Sequence, residues 1–171
     1  VMKLCKSYRS TFEITDFSQR IQTNHELEPI IRHGEPPAIL RFEDVKQEIQ
    51  GILSIISSFK KSGYTSLGIV CKTETQAREL SESLRVHTVD IHFLSNQSSA
   101  FIKGIIITSS HMAKGLEFDE VIIPYVNDKN YNSTIDKSML YIAVTRAMHR
   151  LTLTYNGQPS EFIPASSDQK F

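Results

Sequence analysis

The segment Thr108-Ser109-Ser110-His111-Met112-Ala113-Lys114-Gly115-Leu116-Glu117-Phe118 gathers hydroxyls, a histidine, a lysine, a glycine and a glutamate between two apolar runs. Gly115 allows a positive φ or a close backbone approach. Glu117 can only accept hydrogen bonds when ionised, so it suits sugar hydroxyls better than phosphates. Thr108 and His111 can bond a nucleic-acid backbone. The plain alternative is a connecting loop whose polar residues face water, because one loop motif is only a hypothesis.

A second segment, Leu140-Tyr141-Ile142-Ala143-Val144-Thr145-Arg146-Ala147, reads as helix with an inward stripe of Leu140, Ala143, Val144 and Ala147. Arg146 lies beside that stripe, where its guanidinium can reach over a sheet rim. A fixed fork of donors there is what stabilising a transferring phosphoryl group requires. The alternative is a helix-end arginine answering the dipole or a surface carboxylate, and Arg150 fits that better than Arg146. Arg9, in Ser7-Tyr8-Arg9-Ser10, stands just before a helix, where a phosphate can take both a guanidinium and helix amides. Taken alone it reads as a surface arginine.

These residues need a scaffold. Apolar runs predict strands over 38–42, 67–71, 89–94, 103–108, 119–124 and 151–155, with a short one at 2–6. Helices fill the intervals. Ile14, Phe17, Ile21 and His25 share a face, behind the capping hydroxyls of Ser10 or Thr11. Val45, Ile49, Ile52, Leu53, Ile56 and Phe59 mark a helix over 43–61, which Ser62-Gly63 ends. Ala77, Leu80 and Leu84 point inward from a helix after Thr73, and Gln76 three residues on suggests a capping box. Residues 136–150 predict the last helix. Residues 95–100 read as a turn and 127–134 as a polar loop.

Alternation of this kind, with continuously apolar strands, predicts an α/β fold: a mostly parallel sheet with helices on both faces. We read one domain over 1–156 and an irregular tail over 157–171. Ligands of such sheets sit at the carboxyl ends of the strands. Ser7 to Arg9, Lys72-Thr73 and Ser109 to Lys114 all follow strands and are expected to share that rim.

Composition narrows the function. Lysine plus arginine equal aspartate plus glutamate at 19 each in 171 residues, so no overall field drives nucleic-acid binding and any such contact is local. Cys5 and Cys71 form no disulfide framework, and no metal-ligand spacing occurs. Cys71 reads as a small buried side chain. No apolar run nears the ~20 residues of a membrane span and no secretory signal is seen, so we expect a cytoplasmic protein without a membrane partner. The opening at Val1 suggests a piece of a longer chain.

Together the motifs resemble the second RecA-like motor domain of the UvrD/Rep-type superfamily 1 helicases, from Ser7 to Thr154. Ser7-Tyr8-Arg9-Ser10 resembles the family's motif IV, Thr108 to Phe118 its motif V, and Leu140 to Ala147 its motif VI. The run from Val70 to Leu80, VCKTETQAREL, is similar to the weaker segment between them. The resemblance implies a RecA-like fold of the P-loop NTPase type. It implies Arg9 and Arg146 at the γ-phosphate of ATP, with Tyr8, Gly115 and Glu117 lining the nucleotide. It also implies Thr108, His111, Lys72 and Arg78 along a single-strand backbone, although solvated charge explains Lys72 and Arg78 equally well. ATP and Mg2+ would be bound in a full-length protein, between this domain and an N-terminal RecA-like domain of the same polypeptide, with single-stranded DNA as the partner.

Two departures qualify the picture. No Gly-rich loop ending in Gly-Lys-Ser/Thr occurs in this chain. With Walker A and Walker B both missing from it, the isolated chain is expected to be inactive. The large insertion of many relatives is also absent between Arg9 and Thr108. That compactness resembles the helicase IV/HelD branch, which brings RNA polymerase in as an alternative partner. The other alternative is a non-catalytic domain that binds a partner protein.

Overall fold

The computed structural model describes residues 10–23, 32–88, 90–95 and 103–164. The strand expected at 2–6, Tyr8, Arg9, His25 and most of the 95–100 turn lie outside these residues.

Six strands form one all-parallel sheet: β1 (Ala38–Phe42), β2 (Ser66–Cys71), β3 (Ile91–Phe93), β4 (Gly104–Ser109), β5 (Phe118–Ile123) and β6 (Ala147–Asn156), in the order β1-β6-β5-β2-β4-β3. The central strands carry near-continuous runs of Ile, Val and Leu because both faces are covered. Helices α1 (Phe12–Ile21), α4 (Ser110–Ala113) and α5 (Thr134–Val144) cover one face. Helices α2 (Val45–Lys61) and α3 (Glu74–Arg85) cover the other.

Each core obeys the strand alternation. Val70, Ile106, Val121, Ile123, Leu151 and Leu153 meet Ile14, Phe17, Ile21, Leu140, Ala143 and Val144. Leu67, Ile69, Ile105, Ile107 and Ile122 meet Ile52, Ile56, Phe59, Ala77, Leu80 and Leu84. Gly68 is required by close packing: a Cβ there would stand 2.5 Å from the ring of Phe118. Cys71 is fully buried, and burial pushes its thiol up.

Several boundaries differ from expectation. The last helix stops at Val144, and the chain turns within two residues into β6. Ala147 follows the helical stripe by count but is paired with Phe118. A strand wins here because Phe118 N–H donates to Arg146 O at 2.9 Å, and Leu151, Leu153 and Tyr155 fill the sheet interior at period two. Arg150 is therefore a strand residue, held by Glu120 and Glu35. Residues 110–113 form a helical turn capped by Ser109 rather than open loop.

In the first turn of α2, Glu48 is buried while Val45 is half-exposed. The capping box at Thr73 is half made: Gln76 N–H donates to Thr73 Oγ1, but the Gln76 amide turns away to Asn130 Oδ1. Residues 157–164 are irregular and docked. Pro159 bridges Asn127, Ser160 is buried, and Phe162 and Ile163 pack on the core.

Candidate functional site: two rims of one sheet

The candidate residues divide between opposite ends of the sheet. At the amino ends of β5 and β6, Arg146 occupies the turn leaving α5. Its Nε donates to Ile142 O, its Nη1 to Leu116 O and its Nη2 to Thr145 Oγ1, each at 3.2 Å. These bonds fix the plane of the guanidinium against the backbone that carries Gly115 and Glu117. Burial lowers the affinity of Arg146 for its proton, and the neighbouring Glu117 and Tyr141 oppose that shift. A partly desolvated guanidinium on a rigid mount acts strongly on a nearby anion, because water screens it less.

Gly115 has φ +82°, a left-handed conformation that glycine alone adopts freely. It turns the chain from α4 towards β5 and brings exposed Glu117 beside Arg146. Ser10, the residue after Arg9, donates to Ala147 O at 2.7 Å, and Arg32 Nη2 donates to Met148 O at 2.9 Å. The residues that follow the two expected arginines are thus bonded to each other, although Arg9 and Tyr8 themselves lie outside the described residues.

The carboxyl rim carries different chemistry. Ser110 Oγ donates to Cys71 O, which joins the ends of β2 and β4, and His111 is exposed beside them. Lys72 is committed internally. Its ammonium donates to Asn130 O and to Asp136 Oδ1 (3.1 Å), and it lies 5.8 Å from the centre of the Tyr131 ring. Burial raises the Asp136 carboxyl. Bonds from Asn132 N–H, Lys72 and Ser133 N–H outweigh that and hold it below the usual carboxylate range. Arg78 is exposed, paired with Glu74 one helical turn away and set over the Phe93 ring.

Thr108 is fully buried and its hydroxyl donates to Leu94 O at 2.9 Å, so in this conformation it faces the protein rather than solvent.

The ends of β2 and β4 place Lys72-Thr73 and the start of the Ser109 to Lys114 segment together at the carboxyl rim, as expected, and Ser7 to Arg9 lie outside the described residues. Lys72 and His111 share that rim, whereas Ser10, Gly115, Glu117 and Arg146 gather at the other. The segment from Thr108 to Phe118 crosses one face of the sheet and takes part in both.

Sequence reasoning missed Tyr125 and Glu48. Tyr125 has φ +61°, the one positive φ outside glycine among the described residues. Glu48, with no exposed surface, accepts from Tyr125 N–H (2.8 Å), Thr154 Oγ1 (2.7 Å) and Asn156 Nδ2 (2.7 Å). The spacing of Glu48 on α2 places it on the inward face, and that was the only available signal.

An all-parallel sheet covered by helices on both faces has the RecA-like architecture. The UvrD-like helicase C-terminal domain family matches residues 2–101 and 89–158, and the chain belongs to that family. It is similar to the crystal structure of the C-terminal domain of a possible DNA helicase from Lactobacillus plantarum WCFS1. The TM-score is 0.78 with 27% identity, covering 92% of each chain. A weaker likeness, at TM-score 0.49 and 12% identity, is to the helicase nonstructural protein 10 of an arterivirus, solved with DNA; it covers 70% of this chain and 28% of that one. No curated protein matches. No helix among the described residues is long and apolar enough to cross a membrane.

Proposed function

We propose that the domain is the second half of an ATP-driven helicase or translocase motor. In this reading Arg146, with Arg9, faces the γ-phosphate of ATP seated on an N-terminal RecA-like domain of the same polypeptide, while the carboxyl rim meets single-stranded DNA. The carrying observation is the mount of Arg146: internal bonds use part of its fork and leave the remaining N–H groups for an anion. Glu117 beside it can accept from a ribose hydroxyl.

Mg2+, when bound with ATP, would neutralise charge between its terminal phosphates, and this reading assigns its ligands to the N-terminal domain. The work of this chain is electrostatic: a preoriented cation stabilises charge that develops as the phosphoryl group transfers. The segment from Thr108 to Phe118 then links the two ends, since closure against ATP at Glu117 pulls on the backbone that carries His111.

The test is ATP hydrolysis by the native protein that contains this chain, with and without single-stranded DNA. Hydrolysis stimulated by the strand supports the reading. Hydrolysis indifferent to the strand removes DNA from it, and no hydrolysis sinks it.

A further inference from the structure

The backbone of Arg146 is pinned on both sides. Its N–H donates to Ala143 O at 3.1 Å, and its carbonyl accepts from Phe118 N–H at 2.9 Å. The side chain is then closed into a ring of three hydrogen bonds. Arg146 Nε donates to Ile142 O at 3.2 Å, Thr145 Oγ1 donates to the same carbonyl at 2.8 Å, and Arg146 Nη2 donates to Thr145 Oγ1 at 3.2 Å. Thr145 has a single hydroxyl proton, and Ile142 O takes it. The lone pairs of that oxygen are what remains to face Arg146, so the direction of the bond from Nη2 is fixed.

Thr145 is the C-cap of α5. A threonine at a helix end often bonds the carbonyl three residues back, and that bond alone would serve the helix. It does not account for the guanidinium on the other side of the hydroxyl. The β-branch restricts χ1, so the oxygen is presented in one direction. At the far end of the fork, Nη1 donates to Leu116 O at 3.2 Å, one residue after the left-handed Gly115. These bonds take three of the five N–H groups of Arg146 and leave one on each of Nη1 and Nη2. Two donors on one planar group suit two oxygens of one phosphoryl group.

We infer that Thr145 is a positioning residue for phosphoryl transfer: its hydroxyl sets the plane in which Arg146 presents its two remaining donors to the γ-phosphate. The inference rests on the functional reading above. Developing charge is stabilised most by donors already aimed at it, and a small misplacement is costly. Valine matches threonine in shape but offers Nη2 no acceptor. In T145V the charge stays and its orientation is lost, so the effect falls on the transition state rather than on nucleotide binding.

The test uses the native protein that contains this chain and compares T145V, T145S and R146A. In T145V, kcat for ATP falls roughly tenfold with KM little changed. Affinity for ADP is retained, whereas affinity for ADP with aluminium fluoride, a mimic of the transferring phosphoryl group, falls by a similar factor. T145S keeps the hydroxyl and recovers most of the turnover. T145A, which lacks the hydroxyl without added bulk, shows the same loss as T145V, and melting curves identify the folded variants. Undiminished turnover in folded T145V or T145A, with R146A inactive, overturns the role of Thr145 and leaves the motor reading standing. Equal losses in T145V and T145S, or ADP and the mimic weakened together, make Thr145 merely structural and overturn it too. Normal hydrolysis by R146A overturns both the inference and the reading beneath it.

Discussion

The amino and carboxyl rims of this sheet hold their polar side chains in opposite ways. At the amino rim the hydrogen bonds of Arg146 run to neutral carbonyls and a hydroxyl, with Glu117 near enough to act on its charge. At the carboxyl rim Lys72 is neutralised by Asp136 and tied to Asn130 O, so its charge is spent on holding the 127–133 loop to α3 and α5. Two cations near candidate sites therefore do different work. What separates them is how the nearest carboxylate engages them: Asp136 is bonded to Lys72 at 3.1 Å, whereas Glu117 acts on Arg146 as a neighbouring charge.

The contrast can be broken in steps. The largest effect of a conservative change belongs to R146K in the native protein. Lysine keeps the charge but cannot reproduce the planar fork, so ATP turnover should fall by roughly a hundredfold or more, measured by steady-state phosphate release. Turnover within a few-fold of the original would show that charge alone suffices and that the mount is incidental.

Next comes E48A, aimed at the other rim. It leaves the Tyr125 N–H, the Thr154 hydroxyl and the Asn156 amide without their acceptor. A loss of about 3 kcal/mol is expected in denaturant melts; a loss near zero would mean that water replaces the carboxylate and that the Tyr125 turn does not depend on it. G68A should cost about 2 kcal/mol by forcing the buried Phe118 ring aside. Because Phe118 N–H bonds Arg146 O, the melt should be accompanied by reduced turnover.

A smaller effect is set by pH. The folded state holds the Asp136 carboxyl below its unfolded value, so its contribution is present at neutral pH. It is lost as pH falls through the folded value, below about 4. D136N should therefore cost about 1 kcal/mol at pH 7 and flatten that part of the acid-side decline, as seen by thermal melts across pH. A decline of unchanged steepness would place the titrating group elsewhere. R78A, which removes an exposed pair one helical turn apart, should change stability by less than about 0.5 kcal/mol.

Much of the fold was legible because its signals are local. The apolar runs of β2, β4 and β5 and the 3.6-residue spacing of α2 and α3 are properties of single segments. The end of α5 was not legible, because Ala147 and Leu151 continue a helical count, and only pairing with Phe118 and Val121 distinguishes strand from helix. The motifs were legible as residue types but not as places. That Gly115 and Arg146 stand at one rim and His111 at the other depends on the direction in which the 108–118 segment crosses the sheet. Lys72 reads the same in sequence whether it meets a phosphate or Asp136. The left-handed Tyr125 left no trace, since no local rule puts a tyrosine there, and buried Glu48 supplies the reason from another element.

The most direct measurement is to record strand binding and ATP turnover side by side for R146A in the native protein. If the amino rim serves phosphoryl transfer and the carboxyl rim serves the strand, turnover falls about a thousandfold while oligonucleotide affinity and melting temperature are retained. Turnover preserved, or turnover and strand binding lost together in a folded protein, would contradict the division of labour between the two rims.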